Sequence, residues 1–261
     1  MTFKWLLAVA EPSLPSPAVA FLSAFLAIGL ALVHIYAGKL RFLDRTPRSI
    51  WLSVASGVSV AYVFVHILPE LSEAQETISQ QAEEKLAFLE HHVYLLALLG
   101  LALFYGLERI AKLSRQRNQK AGKGNVTELG VFWLHIASFA AYNTLIGYLL
   151  LHREDPGIES LLFFCFAMAL HFVVNDSGLH DHHKSIYDRL GRWILAAAII
   201  VGWVIGRTTA ISPAAIALLA SFLAGGIILN VLKEELPEES DSRFWAFALG
   251  ASIYAALLVA L

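Results

Sequence analysis

The sequence predicts an all-α integral membrane protein with eight transmembrane helices in one domain, residues 1–261. Of the 261 residues, 57% are hydrophobic and only 15% are charged, which is far from the balance of a soluble domain. Several apolar runs reach about 18 to 23 residues, enough to cross a hydrocarbon core about 30 Å thick. The one cysteine, Cys165, excludes an internal disulfide and a metal site built from several thiolates.

The apolar runs and the breaks between them predict where each helix lies. The first ten residues, MTFKWLLAVA, are too short to span and are predicted to lie at the membrane interface. The eight helices are predicted over about residues 18–37, 50–68, 92–110, 130–151, 161–179, 193–208, 213–232 and 244–261. An acidic, helix-prone stretch follows the second helix, a basic mobile loop follows the third, and an Asp-Pro-Gly turn precedes the fifth.

The distribution of basic residues predicts the orientation. The links after the first, third, fifth and seventh helices hold 15 Lys and Arg residues, whereas the opposite side holds 4. Cytoplasmic links are the ones enriched in Lys and Arg. We therefore expect a cell-membrane protein, of the plasma or inner membrane, with both termini outside the cytoplasm, and an even number of helices agrees with this.

The fifth predicted helix, LLFFCFAMALHFVVNDSGLHDHH, turns from apolar to polar within one segment. At about 100° per residue, one face carries His171, Asn175, Gly178 and His182. A neighbouring face carries Asp176, His180 and His183. Ionisable groups inside an apolar helix are costly in hydrocarbon, so they indicate a functional site. The alternative is that these side chains hydrogen-bond to neighbouring helices.

A short internal similarity predicts an inverted repeat. The second helix ends in Ile-Leu-Pro-Glu at residues 67–70, and the seventh ends in Glu-Leu-Pro-Glu at 235–238. These two helices run in opposite directions, as inverted repeats do. Helices 1–3 would then match helices 6–8, with helices 4 and 5 in the middle. The alternative is chance, because Pro and Glu are common near helix ends.

With these features the chain resembles the ZIP (Zrt/Irt-like) metal transporters. His66 to Glu70 is similar to the end of that family's second helix, and Ala224 to Glu238 is similar to its seventh. The resemblance implies a 3+2+3 inverted-repeat bundle whose metal site lies between helices 4 and 5. It also implies transport of a divalent metal ion such as zinc toward the cytoplasm.

The chain departs from the family at that central site. The fourth-helix pattern His-Asn-Phe-x-Asp/Glu-Gly is matched here only by Asn143 and Gly147, because the histidine is Tyr142 and the carboxylate is Ile146. The fifth-helix pattern His-Glu-x-Pro-His-Glu is here His-Phe-Val-Val-Asn-Asp, residues 171–176. A divalent ion in a low-dielectric site needs carboxylates to offset its charge. The expected site is therefore a weak one, with His171 as the main ligand, helped by Asn143 and Asn175.

Two further clusters are candidate metal sites. The cluster of His180, Asp181, His182 and His183, together with Asp176, is expected to suit zinc, and the alternative is a polar helix end with histidines near its C-terminus. His66 and Glu70 lie one turn apart and are expected to form a ligand pair at the outer entrance, or else a cap at the membrane surface.

Three functions remain open from the sequence. The first is a divergent ZIP-like carrier of a divalent metal. The second is a non-transporting relative that acts as a scaffold or metal sensor. The third is an intramembrane zinc hydrolase using Asp176, Ser177, His180 and His183. The first two predict no enzymatic activity. The expected partners are the lipid bilayer and a metal ion, not nucleic acid, and a homodimer is left open.

Overall fold

The computed structural model describes residues 17–37, 50–81, 92–153, 157–209, 213–235 and 243–260. Within these ranges the chain is nearly all helix and has no strand. Its α-helices are α1 (Pro17–Tyr36), α2 (Ile50–Tyr62), α3 (Leu68–Gln81), α4 (His92–Lys120), α5 (Leu129–Leu149), α6 (Ile158–His183), α7 (Arg192–Thr208), α8 (Pro213–Asn230) and α9 (Phe244–Val259). The predicted interfacial patch at residues 1–10 lies outside the described residues.

The described helices confirm the all-α membrane class. Seven helical segments are long and apolar enough to cross a membrane, and α9 is a shorter apolar helix of 16 residues. Large apolar side chains, such as those of Phe21, Trp51 and Phe244, are exposed on the outside of the bundle. A soluble protein rarely exposes so much apolar surface, so these side chains are placed to contact lipid.

The helix α4 is longer than the sequence pattern indicated. The prediction ended it near residue 110 and placed the following basic residues in a mobile loop, whereas the helix continues to Lys120. Lys, Arg and Gln are strong helix formers, and the first residue with a positive φ is Gly122, at 70°. The basic residues from Lys112 to Lys120 therefore lie on a helix that projects beyond the apolar run.

The helix predicted to end at residue 68 also continues, through Pro69, to Gln81. A π segment, Val63–Ile67, joins α2 to α3, and the Leu68 N–H donates to the carbonyl of Val63. Proline inside a helix clashes with the carbonyl four residues earlier, and a wider π turn just before it relieves that clash. A second π segment, Val231–Glu235, follows α8 and also ends two residues before a proline.

The helices form two groups that meet at the polar side chains. In one group, α1 packs on α6 and α7, and α5 packs on α7. In the other group, α2 packs on α9, and α4 packs on α8. Contacts of α4 with α5 and of α2 with α6 join the two groups. The polar residues of α5 and α6 thus lie near this junction.

The interface between α2 and α9 depends on two glycines. A Cβ built on Gly57 would overlap the carbonyl of Phe247, and one built on Gly250 would overlap the carbonyl of Val54. Each glycine therefore faces a backbone carbonyl of the other helix. That carbonyl belongs to the residue three positions before the partner glycine. Small residues allow membrane helices to approach closely and to pack their backbones.

The interface between α4 and α8 has the same arrangement. A Cβ on Gly225 would overlap the carbonyl of Ala97, and one on Gly100 would overlap the carbonyl of Phe222. Again each glycine lies on the carbonyl of the residue three positions before its partner. The pair α5 with α7 also packs in this way, through Gly147 and Gly202, so three helix pairs share one contact.

Candidate functional site

The helix α6 carries most of the side chains that the sequence singled out. It starts after Gly157 and ends at His183, where Lys184 takes a positive φ of 51° and stops the helix. Its buried polar side chains are His171, Asn175, Asp176, His180 and His183. They face different neighbouring helices, because successive positions of a helix point about 100° apart.

His171 contacts α5 through Tyr142, at the position where the ZIP pattern has histidine. The Tyr142 hydroxyl lies 3.2 Å from Nε2 of His171, and both side chains are buried. Asn143 is fully buried, and neither its amide oxygen nor its amide nitrogen has a hydrogen-bond partner among the described residues. The amide nitrogen of Asn175 has none there either. Buried amides of this kind are costly in hydrocarbon, so a polar partner at this position would stabilise them.

The two positions where the ZIP pattern has a carboxylate carry apolar side chains here. Ile146 and Phe172 are both fully buried. The ring of Phe172 packs at a tilt of 32° against that of His34 in α1, with the ring centroids 4.3 Å apart. Phe172 thus belongs to the contact between α6 and α1, and it contributes no ligand next to His171.

Asp176 is held by α1 and not by the histidines of α6. Its two carboxylate oxygens lie 2.9 and 3.0 Å from Nδ1 of His34, and both side chains are almost completely buried. A buried carboxylate requires such a partner. Its role in the structure is therefore to join α6 to α1.

The histidines at the end of α6 diverge. His180 Nδ1 lies 3.0 Å from Asp188 Oδ1, in the π segment Tyr187–Gly191 that precedes α7. His183 instead faces α5, where its Nε2 lies 2.9 Å from His135 Nδ1. The expected zinc set of Asp176, His180 and His183 is therefore not brought together. The hydrolase set is divided in the same way, because Asp176, Ser177 and His180 line one small cavity from which His183 is absent.

His183 belongs to a chain of polar contacts that reaches Glu108 on α4. Its Nδ1 lies 2.6 Å from the Thr127 hydroxyl, and its Nε2 contacts His135. His135 Nε2 in turn lies 3.4 Å from Glu108 Oε1, and the side chain of His135 is only 1% exposed. Two imidazoles thus link a hydroxyl at the start of α5 to a largely buried carboxylate.

Glu108 is the centre of this cluster. Besides His135, it contacts His182 Nε2 at 3.2 Å and forms an ion pair with Lys233 of the π segment Val231–Glu235. The Arg115 guanidinium lies 3.1 Å from His182 Nδ1. Because a guanidinium only donates hydrogen bonds, His182 Nδ1 accepts from Arg115, and its Nε2–H donates to Glu108. Three elements, α4, α6 and the π segment, are tied together here.

The sequence analysis missed Glu108 as a site residue. The signal was present, since Glu108 is the only acidic residue between 92 and 127. An acid at the end of an apolar run, on the side rich in basic residues, indicates a specific partner. That partner, Lys233, lies 125 residues further along the chain, so no local pattern could identify it.

At the other end of the bundle, His66 and Glu70 lie one turn apart as expected. His66 Nε2 is 3.1 Å from Glu70 Oε1, and both side chains are partly exposed. Glu70 lines a small cavity together with Arg153 and Tyr62. A guanidinium in that cavity lowers the negative potential that the carboxylate would otherwise offer to a cation.

In the described ranges, no three His, Cys, Asp or Glu side chains are arranged so that they could hold a metal ion. The hydrogen bond described for His171 is to the neutral Tyr142 hydroxyl, and Glu108 already has a lysine. Comparison of the chain with protein-family models, with characterised proteins and with solved structures found no match.

Proposed function

We propose that the chain is a divergent ZIP-like membrane transporter that moves a divalent metal ion such as zinc toward the cytoplasm. The observation that carries this proposal is the register shared by α2 and α8, in which a glycine, a π segment and a proline follow one another at the same spacing. In an inverted repeat, helices 1–3 correspond to helices 6–8. A contact of the second helix with the eighth therefore corresponds to a contact of the seventh helix with the third. These are the pairs α2 with α9 and α8 with α4, and both use the glycine contact that also joins α5 to α7.

The two prolines support the same correspondence. Gly57 lies twelve residues before Pro69, and Gly225 lies twelve residues before Pro237. Each proline also follows a π segment by the same number of residues. A glycine, a π segment and a proline in one register are far less expected by chance than the four-residue motif alone. The segments are five spans apart, so a chain that crosses the membrane at every helix runs them in opposite directions.

The position of the central polar side chains agrees with transport. Inverted-repeat transporters bind their substrate near the middle of the membrane, between the repeats. Tyr142 and His171 each lie thirteen residues from the start of their helices, which is about 20 Å along a helix at 1.5 Å per residue. With Asn143 and Asn175 they provide one imidazole, one phenol and two amides for a cargo ion.

A second function, a non-transporting ZIP-like membrane protein, is favoured by a different observation. The hydrogen bond described for His171 is to the neutral hydroxyl of Tyr142, and Asp176 is paired with His34. Without a carboxylate, a divalent ion at the centre retains most of its desolvation cost. The fold would then be kept for scaffolding or sensing.

Uptake by the purified protein in sealed vesicles separates the two functions. We expect entry of zinc, manganese, iron(II) or cobalt with the wild type, and its loss with His171→Ala. The matched control is His180→Ala, which removes a buried imidazole of the same helix that faces away from Tyr142. Absence of uptake for all four ions by folded wild-type protein would favour the non-transporting function. Uptake by His171→Ala equal to that of the wild type would exclude the central site as the binding site of the transported ion.

A further inference from the structure

A cavity of about 560 Å³ lies at the end of the bundle where α4 ends. One wall is formed by α4, and α6 and the π segment Val231–Glu235 contribute to the rest. The cavity contains four permanent cations, which are Arg109, Lys112, Arg115 and Lys233.

The two acidic side chains of the cavity do not neutralise these cations. Glu108 forms an ion pair with Lys233. Asp181 lies 2.9 Å from the ammonium of Lys184, a residue that is not part of the cavity lining. Each of these two acids is thus matched by one lysine, and neither of them pairs with the three cations of α4.

These three cations lie on one face of α4. Arg109, Lys112 and Arg115 are spaced by three residues, and such positions are neighbours on a helix. Arg115 bonds only to neutral groups, the Asn125 amide at 3.1 Å and His182 Nδ1 at 3.1 Å. Neither Arg109 nor Lys112 has an ion pair or hydrogen bond within the described ranges. Adjacent like charges repel, so an anion in the cavity would stabilise this arrangement.

The depth of the cavity indicates the source of the anion. About 20 residues of helix cross the hydrocarbon core, and α4 begins at His92, so its exit from the core falls near Lys112. Ile110 and Leu113, beside two of these cations, are exposed apolar side chains. The cations therefore lie at headgroup level, next to acyl chains. Basic pockets between membrane helices at this depth bind acidic headgroups.

We propose that this cavity binds an anionic phospholipid, whose phosphate is held by Arg109, Lys112 and Arg115. The site is separate from the central residues Tyr142 and His171, and it does not depend on metal transport. Lipid binding there would neutralise the three cations and hold the end of α4 against α6.

Native mass spectrometry of the full-length protein, titrated with phosphatidylglycerol or phosphatidylcholine, tests the proposal. The test variant is Arg109→Gln with Lys112→Gln. The matched control is Arg117→Gln with Lys120→Gln, which removes the same charge from exposed positions of the same helix outside the cavity. We expect the wild type to prefer phosphatidylglycerol, and the test variant to bind it about thirty-fold more weakly, because each basic residue near a membrane contributes roughly five-fold.

The fold-loss of phosphatidylglycerol affinity in the control variant should be less than about a third of the fold-loss in the test variant. An equal loss in both variants would assign the effect to general interfacial charge and overturn the proposal. The absence of any preference for phosphatidylglycerol in the wild type would overturn it too. Displacement of the lipid by millimolar inorganic phosphate would point to a free phosphate as the ligand, which also contradicts a lipid site.

Discussion

Asp176 of α6 contacts His34 Nδ1 of α1 through both of its carboxylate oxygens, at 2.9 and 3.0 Å, in the buried interior. The two residues are 142 positions apart. The ring of His34 also packs against that of Phe172, one turn before Asp176. This contact fixes the rotation of α6, and therefore decides which of its polar side chains face α5.

Asp176→Ala should lower the free energy of unfolding by about 3 to 5 kcal/mol, because it leaves a buried imidazole without its carboxylate. Glu159→Ala, on the exposed first turn of the same helix, should change it by less than about 0.5 kcal/mol. Thermal unfolding of the two purified variants measures both. Similar unfolding temperatures for both would show that the contact does not anchor α6.

The glycine interfaces should be equally sensitive to an added methyl group. Gly57→Ala and Gly225→Ala should each cost about 1 to 3 kcal/mol, because the Cβ must displace backbone of the neighbouring helix. Gly106 of α4 has no atom within 4 Å of an added Cβ. Gly106→Ala should therefore be neutral or gain up to about 1 kcal/mol. A loss at only one of the two interfaces would argue against their equivalence.

The helices could be predicted from the sequence because their signal is local. Apolar length, Pro213 and the Asp-Pro-Gly turn each act within a few residues. The predicted end of α4 was wrong because hydropathy marks where a helix leaves the membrane and not where the helix itself ends. Its basic residues are good helix formers, and Gly122 is the first residue to break the helix.

The partners of the polar side chains could not be predicted in the same way. Helical spacing correctly separated His171 from Asp176, but it left His180 and His183 on a common face. In the structure they contact Asp188 and His135 respectively. Two positions three apart on a helix differ by about 60°, and at a junction of several helices this is enough to reach different neighbours. The contact between Glu108 and Lys233 likewise depends on how α4 and α8 pack.

Topology is tested by cysteine labelling after the native Cys165 has been changed to Ala. Cys165 is buried, and replacement by Ala removes the only other thiol. Gln119→Cys, exposed near the end of α4, should resist an impermeant thiol reagent in intact cells. Gln81→Cys, at the end of α3, should react, because the basic residues predict that this end is outside. The reverse pattern would invert the predicted orientation.

The central site is tested most directly by restoring its missing charges. In Ile146→Glu with Phe172→Glu, two carboxylates replace fully buried apolar side chains. Without metal, the variant should unfold at a lower temperature than the wild type, because buried charges are costly and the Phe172 ring no longer packs on His34. Zinc should then raise its unfolding temperature more than that of the wild type, since carboxylates and an imidazole offset the charge and desolvation of the ion.

The control is the same double variant with His171→Ala added. If His171 is the main ligand, zinc should stabilise the triple variant much less than the double variant. At a hundred-fold excess over the dissociation constant, binding to the folded state alone adds about 2.7 kcal/mol, which thermal unfolding resolves easily. Equal stabilisation of the double and triple variants would place the bound zinc elsewhere, and would remove His171 from the transport pathway.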